Sequence, residues 1–180
     1  MTSPSNVVEF LLLVENLKRT KRTGWVNSGI NQPESIADHM YRMSIMTMLI
    51  DDPSLDKNKC VKMALVHDLA ESKVGDITPF DGITNKTKHE LERSAMEEIV
   101  KLLENSEQAN EMFALWQEYE DNSTPEAMLV HDIDKCEMII QALSYEKYSF
   151  YNTTKGIFKH PQIKAWVEDI YIRRKSQLDN

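Results

Sequence analysis

The sequence predicts an all-α fold, a bundle of about six or seven helices within one domain of 180 residues. Three observations carry this. Apolar residues recur at three- and four-residue spacing along almost the whole chain, and Pro33, Pro53, Pro125 and Pro161 fall at the starts or joins of those segments. No stretch sustains the two-residue alternation of a strand, and WVNSGI is too short to count as one.

The first helix is expected near 5–20, in a run whose apolar core superficially resembles that of a secretory signal. Glu9 and Glu15 interrupt that core, and neither a positive leading segment nor a small-residue cleavage site flanks it. The second is expected near 35–51, with Ser35 or Asp38 as cap and Met43, Met46 and Leu49 near helical spacing. Further helices are expected near 56–73, 86–104, 107–120, 125–149 and 160–176. Between the third and fourth lies KVGDITPFDGITNKT, rich in Gly, Thr and Asp, and a connection of this length inside a compact domain is usually functional.

Composition narrows the function classes. With 41% hydrophobic and 28% charged residues the chain is globular rather than disordered, and no apolar run approaches the roughly 20 residues needed to cross a bilayer. Cys60 and Cys136 are too few for a disulfide framework, which points to a reducing compartment, cytoplasm or nucleus. The net charge of -8, with basic residues scattered apart from LKRTKR at 17–22 and IRRK at 172–175, argues against polymeric nucleic acid. A small phosphate remains accessible to such a protein if a metal and one or two aimed cations supply positive charge locally.

Chemistry concentrates at His67-Asp68, because imidazole and carboxylate suit first-row divalent metals, and such a metal acidifies its bound water. A His-Asp pair alone means little: the chain has a second at His131-Asp132. The first pair has company. His39 lies in the early turns of the second helix, and Glu71 follows His67 by four residues, one turn on in a helix and within reach of a metal-bound water. A later acid completes the set. Projected at 3.6 residues per turn, Asp134 shares a stripe with Val130, Glu137 and Gln141, whereas Asp132 falls among Leu129, Cys136, Ile139 and Leu143. A helix apolar nearly all round is buried, so its polar stripe should face a polar cavity, and Asp134 is the better ligand.

RTGWV at 22–26, ESIADHMYRM at 34–43, HDLAESKVGDITPFDG at 67–82, KHELERSAM at 88–96 and DKCEMIIQA at 134–142 together resemble the eukaryotic HD-domain-containing 5'-deoxynucleotidases. The resemblance implies a single HD domain, a homodimer, and hydrolysis of deoxyribonucleoside 5'-monophosphates with one divalent metal ion such as cobalt, manganese or magnesium. The expected metal ligands are His39, His67, Asp68 and Asp134, with Glu71 as the group that orients or deprotonates the attacking water or protonates the departing 5'-oxygen. Arg22 offers a fork of donors suited to phosphate, and Trp25 a flat apolar face. The resemblance makes them the phosphate contact and a wall of the sugar pocket, and makes Asp76 the reader of a sugar hydroxyl. The same three residues also fit plainer roles: a solvated arginine, a core tryptophan and an acid capping a turn. Deoxynucleoside triphosphohydrolases and cyclic-nucleotide phosphodiesterases share the HD signature, but a triphosphate would demand more cations than Arg22 and its neighbours provide. A non-catalytic nucleotide sensor would have no need of Glu71.

Overall fold

The computed structural model describes residues 2–145 and 154–178. The chain runs α1 (Pro4–Val14), α2 (Asn16–Arg19), α3 (Thr23–Asn27), α4 (Ile36–Met48), α5 (Lys57–Val66), α6 (Glu71–Val74), a 3-10 turn at Pro79–Asp81, α7 (Asn85–Leu102), α8 (Glu107–Asp121), α9 (Pro125–Ser144) and α10 (Pro161–Leu178). Seven of these helices have ten or more residues, and among the described residues there is no strand. The starts follow local chemistry. Ser3, Ser35, Asp56, Thr84, Ser106 and Thr124 each accept the amide hydrogen three residues on, which satisfies a donor the helix itself leaves open.

Two expected helices break where the site needs them to. The segment near 5–20 bends at Glu15: α1 buries no residue, while the turn into α2 drops Leu17 into the core and lets the Asn16 side chain donate to the Ser72 carbonyl at 2.9 Å. The segment near 56–73 stops at Val66. There the amides change partner, Leu69 bonding to the Val66 carbonyl and Glu71 to that of Asp68, both at 3.0 Å, so residues 67–70 form a tight turn before α6. His67 and Glu71 therefore do not share a face of one helix, although both are buried. The short helix α6 is the detached end of the segment expected near 56–73, whereas α3 and the 3-10 turn inside the long loop have no counterpart in the sequence expectations. The last part of the segment expected over 125–149 lies outside the described residues.

The core is packed around α4, α5 and α9, with α8 against α5 and α9, α10 against α9, and α7 against α8. Ile36, Met43, Met63, Met96, Ile99, Trp116, Ile133, Ile139 and Ile163 are fully buried, each worth about 1.5–3 kcal/mol of transfer from water. Two joints fix the site's edges. The Arg22 amide donates to the Glu34 carbonyl and the Ile36 amide to that of Thr20, both at 3.1 Å, closing a small clasp around the isolated Lys21–Ser35 bridge. Gly75, at φ 76° and ψ 174°, ends α6 in a conformation that L side chains rarely adopt, and so turns the chain to bring Asp76 onto Thr23.

Candidate metal centre

Three elements deliver the central side chains. His39 comes from the fourth position of the Ser35-capped α4, His67 from the C-terminal end of α5, and Asp134 from the middle of α9. One donor atom from each lies within 4.8 Å of the others. Asp68 borders this trio, its Oδ2 3.2 Å from His67 Nε2 and 3.9 Å from His39 Nε2.

The imidazoles are set up as acceptors toward this point. His67 Nδ1 lies 3.0 Å from the Ala64 carbonyl, and His39 Nδ1 lies 2.6 Å from Glu137 Oε2. Neither oxygen donates, so each ring, when neutral, carries its proton on Nδ1 and turns its Nε2 lone pair toward the carboxylates. Both Nε2 atoms are buried without an aligned hydrogen bond, even though Asp134 Oδ1 is 3.2 Å from that of His39. Buried polar atoms left open are uncommon and call for a missing partner. A cation is the partner that two imidazole lone pairs and two carboxylates have in common, so the residues present fit a divalent metal.

The electrostatics agree. Burial and Arg22 disfavour charge on His39, yet Asp134 and Glu137 outweigh them and push it up to about 9. Burial alone would raise the Asp68 and Asp134 carboxyls, but the two histidines and Arg22 hold both well below the usual carboxylate range. Anionic carboxylates that bid for a proton on His39 will bid harder for a divalent ion. Glu71 goes the other way: burial, then Asp68 and Asp76, push its carboxyl well above the ordinary value, and its Oε2 is buried without a partner.

Around this cluster the other expected residues are distributed unevenly. Arg22, at the start of α3, reaches Asp68 Oδ2 with Nη1 at 3.4 Å; burial opposes its charge, but Asp68, Asp134, Asp76 and Glu71 more than compensate. Asp76 Oδ2 accepts the Thr23 amide at 2.7 Å and its carbonyl the Thr23 hydroxyl at 2.8 Å, so it braces the entrance to α3; neither bond uses Oδ1. Trp25 is buried, edge-on to Tyr145 with ring centres 5.2 Å apart, its Nε1 donating to Glu34 Oε1 at 2.9 Å. Asp132 lies away from the histidines, where its Oδ2 accepts the Lys159 and His160 amides at 2.6 and 2.7 Å, just ahead of α10.

Several residues of the site were not singled out from the sequence. Tyr119 donates to Asp134 Oδ2 at 3.2 Å and lays its ring against His67. Glu137 carries His39, and Arg42 and Glu34 in turn hold Glu137 and Trp25. Lys88, at the start of α7, pairs with Glu92 at 3.4 Å and adds positive charge in the field of Glu71, Asp68 and Asp76. Glu137 left a trace as a member of the polar stripe of Asp134, and Glu34, Arg42 and Lys88 only as letters of the segments that carry the resemblance.

The chain that carries this cluster is similar to known proteins along nearly its whole length. The HD domain matches residues 14–169. The chain belongs to the HD-domain family. Within that family it is 46% identical over 181 residues to the Xenopus laevis protein named 5'-deoxynucleotidase HDDC2, covering 96% of this chain and 90% of that one. The Dictyostelium discoideum protein of the same name is 48% identical over 190 residues, covering 95% and 100%. The Schizosaccharomyces pombe 5'-deoxynucleotidase hdd1 is 47% identical over 180 residues, covering 94% and 91%. Among solved structures, the HD domain-containing protein YGK1 superposes with a TM-score of 0.77 at 30% identity, covering 100% of this chain and 91% of that one. The PH0347 protein from Pyrococcus horikoshii superposes with 0.73 at 32% identity, covering 93% and 97%.

Proposed function

We infer that this HD-domain protein is a metal-dependent 5'-deoxynucleotidase, which hydrolyses deoxyribonucleoside 5'-monophosphates to deoxyribonucleoside and phosphate. The observation that carries the reading is the pair of buried, open Nε2 atoms of His39 and His67 directed at Asp134 and Asp68, with Arg22 alongside. The activity is that named for relatives 46–48% identical over nearly the whole chain.

His39, His67, Asp68 and Asp134 hold one divalent ion of the cobalt, manganese or magnesium kind; bound there, it supplies Lewis acidity and a water acidified toward neutrality. The rest of the work falls to the chain. Arg22 meets the phosphate oxygens with a guanidinium kept charged by its acidic neighbours. Glu71, buried and with a carboxyl that favours its proton, transfers a proton at Oε2 to or from the oxygen that attacks or departs. Asp76 offers Oδ1 to a sugar hydroxyl while Oδ2 stays on Thr23. Trp25 shapes the sugar pocket, its Nε1 anchored on Glu34.

The chain acts as a single HD domain and as a homodimer, a state favoured by the exposed apolar row Tyr41, Ile45, Met48 and Leu49 along α4. It works in the cytoplasm, with access to the nucleus. Both free cysteines are buried, and burial pushes their thiols up to about 12, which suits a reducing compartment. No helix among the described residues is long and apolar enough to cross a membrane. The deciding experiment measures phosphate release by metal-reconstituted protein from paired ribo- and deoxyribonucleoside mono- and triphosphates, alongside cyclic-nucleotide opening. Deoxynucleoside monophosphates should be turned over fastest. Faster hydrolysis of triphosphates or cyclic nucleotides overturns the reading.

A further inference from the structure

His39 is held from behind by a network that reaches across two helices. Its Nδ1 meets Glu137 Oε2 at 2.6 Å, and both side chains are fully buried. A buried carboxylate needs more than one partner to be tolerated. Arg42 provides them: its Nε donates to Glu137 Oε1 at 2.7 Å and its Nη2 bonds to the same oxygen. The same Nη2 reaches Gln141 Oε1 at 2.5 Å and Glu34 Oε2 at 3.3 Å. His39 and Arg42 are three residues apart on α4, and Glu137 and Gln141 four apart on α9, so two facing helix stripes lock together at this point. Asp134 lies on the same stripe of α9, one turn before Glu137.

We propose that Glu137 and Arg42 are positioning residues for the metal ligand His39: Glu137 fixes the imidazole's tautomer and direction, and Arg42 holds Glu137 in place. This rests on the metal-dependent reading above. By accepting from Nδ1, Glu137 leaves the Nε2 lone pair facing Asp134, Asp68 and His67, and its negative charge makes that nitrogen a stronger donor to a cation. Glu34, His39 and Glu137 also lie close enough together to form a metal-sized group. The Arg42 guanidinium bonds to both of these carboxylates, however, occupying the oxygens a cation would need. The group is a salt-bridged support for His39, and Asp134 with its α4 and α5 neighbours remains the place for the ion.

The test titrates Mn²⁺ or Co²⁺ alone into the full chain, by calorimetry and by the visible absorption of bound Co²⁺, for the parent, Glu137→Gln, Arg42→Lys and the double variant. Helicity and the metal-free melting temperature are recorded for each. Glu137→Gln should weaken metal binding by about 10- to 100-fold and alter the Co²⁺ spectrum. Arg42→Lys should weaken it less. The double variant should bind no worse than Glu137→Gln, because Arg42 acts through Glu137. A parent that binds neither ion removes the metal-dependent reading itself. A parent that binds while both folded single variants stay within twofold of it overturns only the present proposal. Should Glu137→Gln fail to fold, Arg42→Lys decides alone by the same twofold limit.

Discussion

The chain contains the dipeptide His-Asp twice, and the two copies have opposite fates. At 67–68 the pair sits where α5 has just ended, and the tight turn lets both side chains address the same point: His67 Nε2 is open and Asp68 Oδ2 is 3.2 Å away. At 131–132 the pair lies within α9, where neighbouring side chains diverge by about 100° around the axis. His131 stacks on Tyr119 with ring centres 3.9 Å apart and places Nε2 2.9 Å from the Tyr119 carbonyl. Asp132 uses its carboxylate on two amides ahead of α10. Identical chemistry thus becomes a site in one place and a structural fastening in the other. What separates them is whether the polar atoms are already engaged and whether the backbone lets them converge.

The largest effects should fall on the first pair. His67→Ala, Asp68→Ala and Asp134→Asn are each expected to lose both bound metal and phosphate release, while His131→Ala and Asp132→Asn retain occupancy; elemental analysis of purified variants checks this, and metal loss from the second group would erase the contrast. Next in size is Glu71→Gln, which should keep metal and substrate but lower turnover by about 100-fold or more. Activity within threefold of the parent would remove Glu71 from proton transfer. Arg22→Ala should weaken every monophosphate alike, by about 1.5–3 kcal/mol in kcat/KM, whereas Asp76→Ala should also change the ratio of deoxyribo- to ribonucleotide turnover.

The second pair should show itself in stability. Asp132→Ala removes an acceptor for two amides and should lower stability by about 1–2 kcal/mol, a few degrees in melting temperature, with the metal content unchanged. The smallest effect concerns a carboxyl near the first pair. Burial pushes Glu92 up to about 7 despite Lys88, with Glu120 and Asp68 adding to the shift. The folded chain therefore holds a proton that the unfolded chain has released, so this contribution to stability is complete at low pH and fades as pH rises between about 4.5 and about 7. Glu92→Gln should flatten the dependence of melting temperature on pH in that window; an unaltered slope would assign the titration elsewhere.

The long helices were legible because their signals are local: a capping side chain, a proline, and an apolar stripe of several turns. His39, the first pair and Asp134 were legible for a related reason, since ligand chemistry and helical phase can be read within a few residues. The breaks at Glu15 and Val66 were not, because helical propensity continues through both while tertiary contacts of Leu17, Asn16 and the 67–70 turn prevail. The support of His39 was illegible as well. Glu137 and Arg42 are 95 residues apart, and nothing in the spacing of either segment names the other as its partner. Trp25 was read from its type and the resemblance, and an aromatic ring beside a glycine suits a pocket wall and a packed core equally; its bond to Glu34 joins residues nine apart that no local pattern pairs.

The clasp that ties Arg22 to Glu34 and Thr20 to Ile36 has a consequence for motion. Two backbone hydrogen bonds join the segment bearing the phosphate-binding candidate to the first turn of the helix bearing His39, so the two ends of the site ride on one rigid piece. In hydrogen exchange the amides of Arg22 and Ile36 should open together, at a rate set by loss of the whole α2–α4 joint, and far more slowly than those of the exposed 79–82 turn.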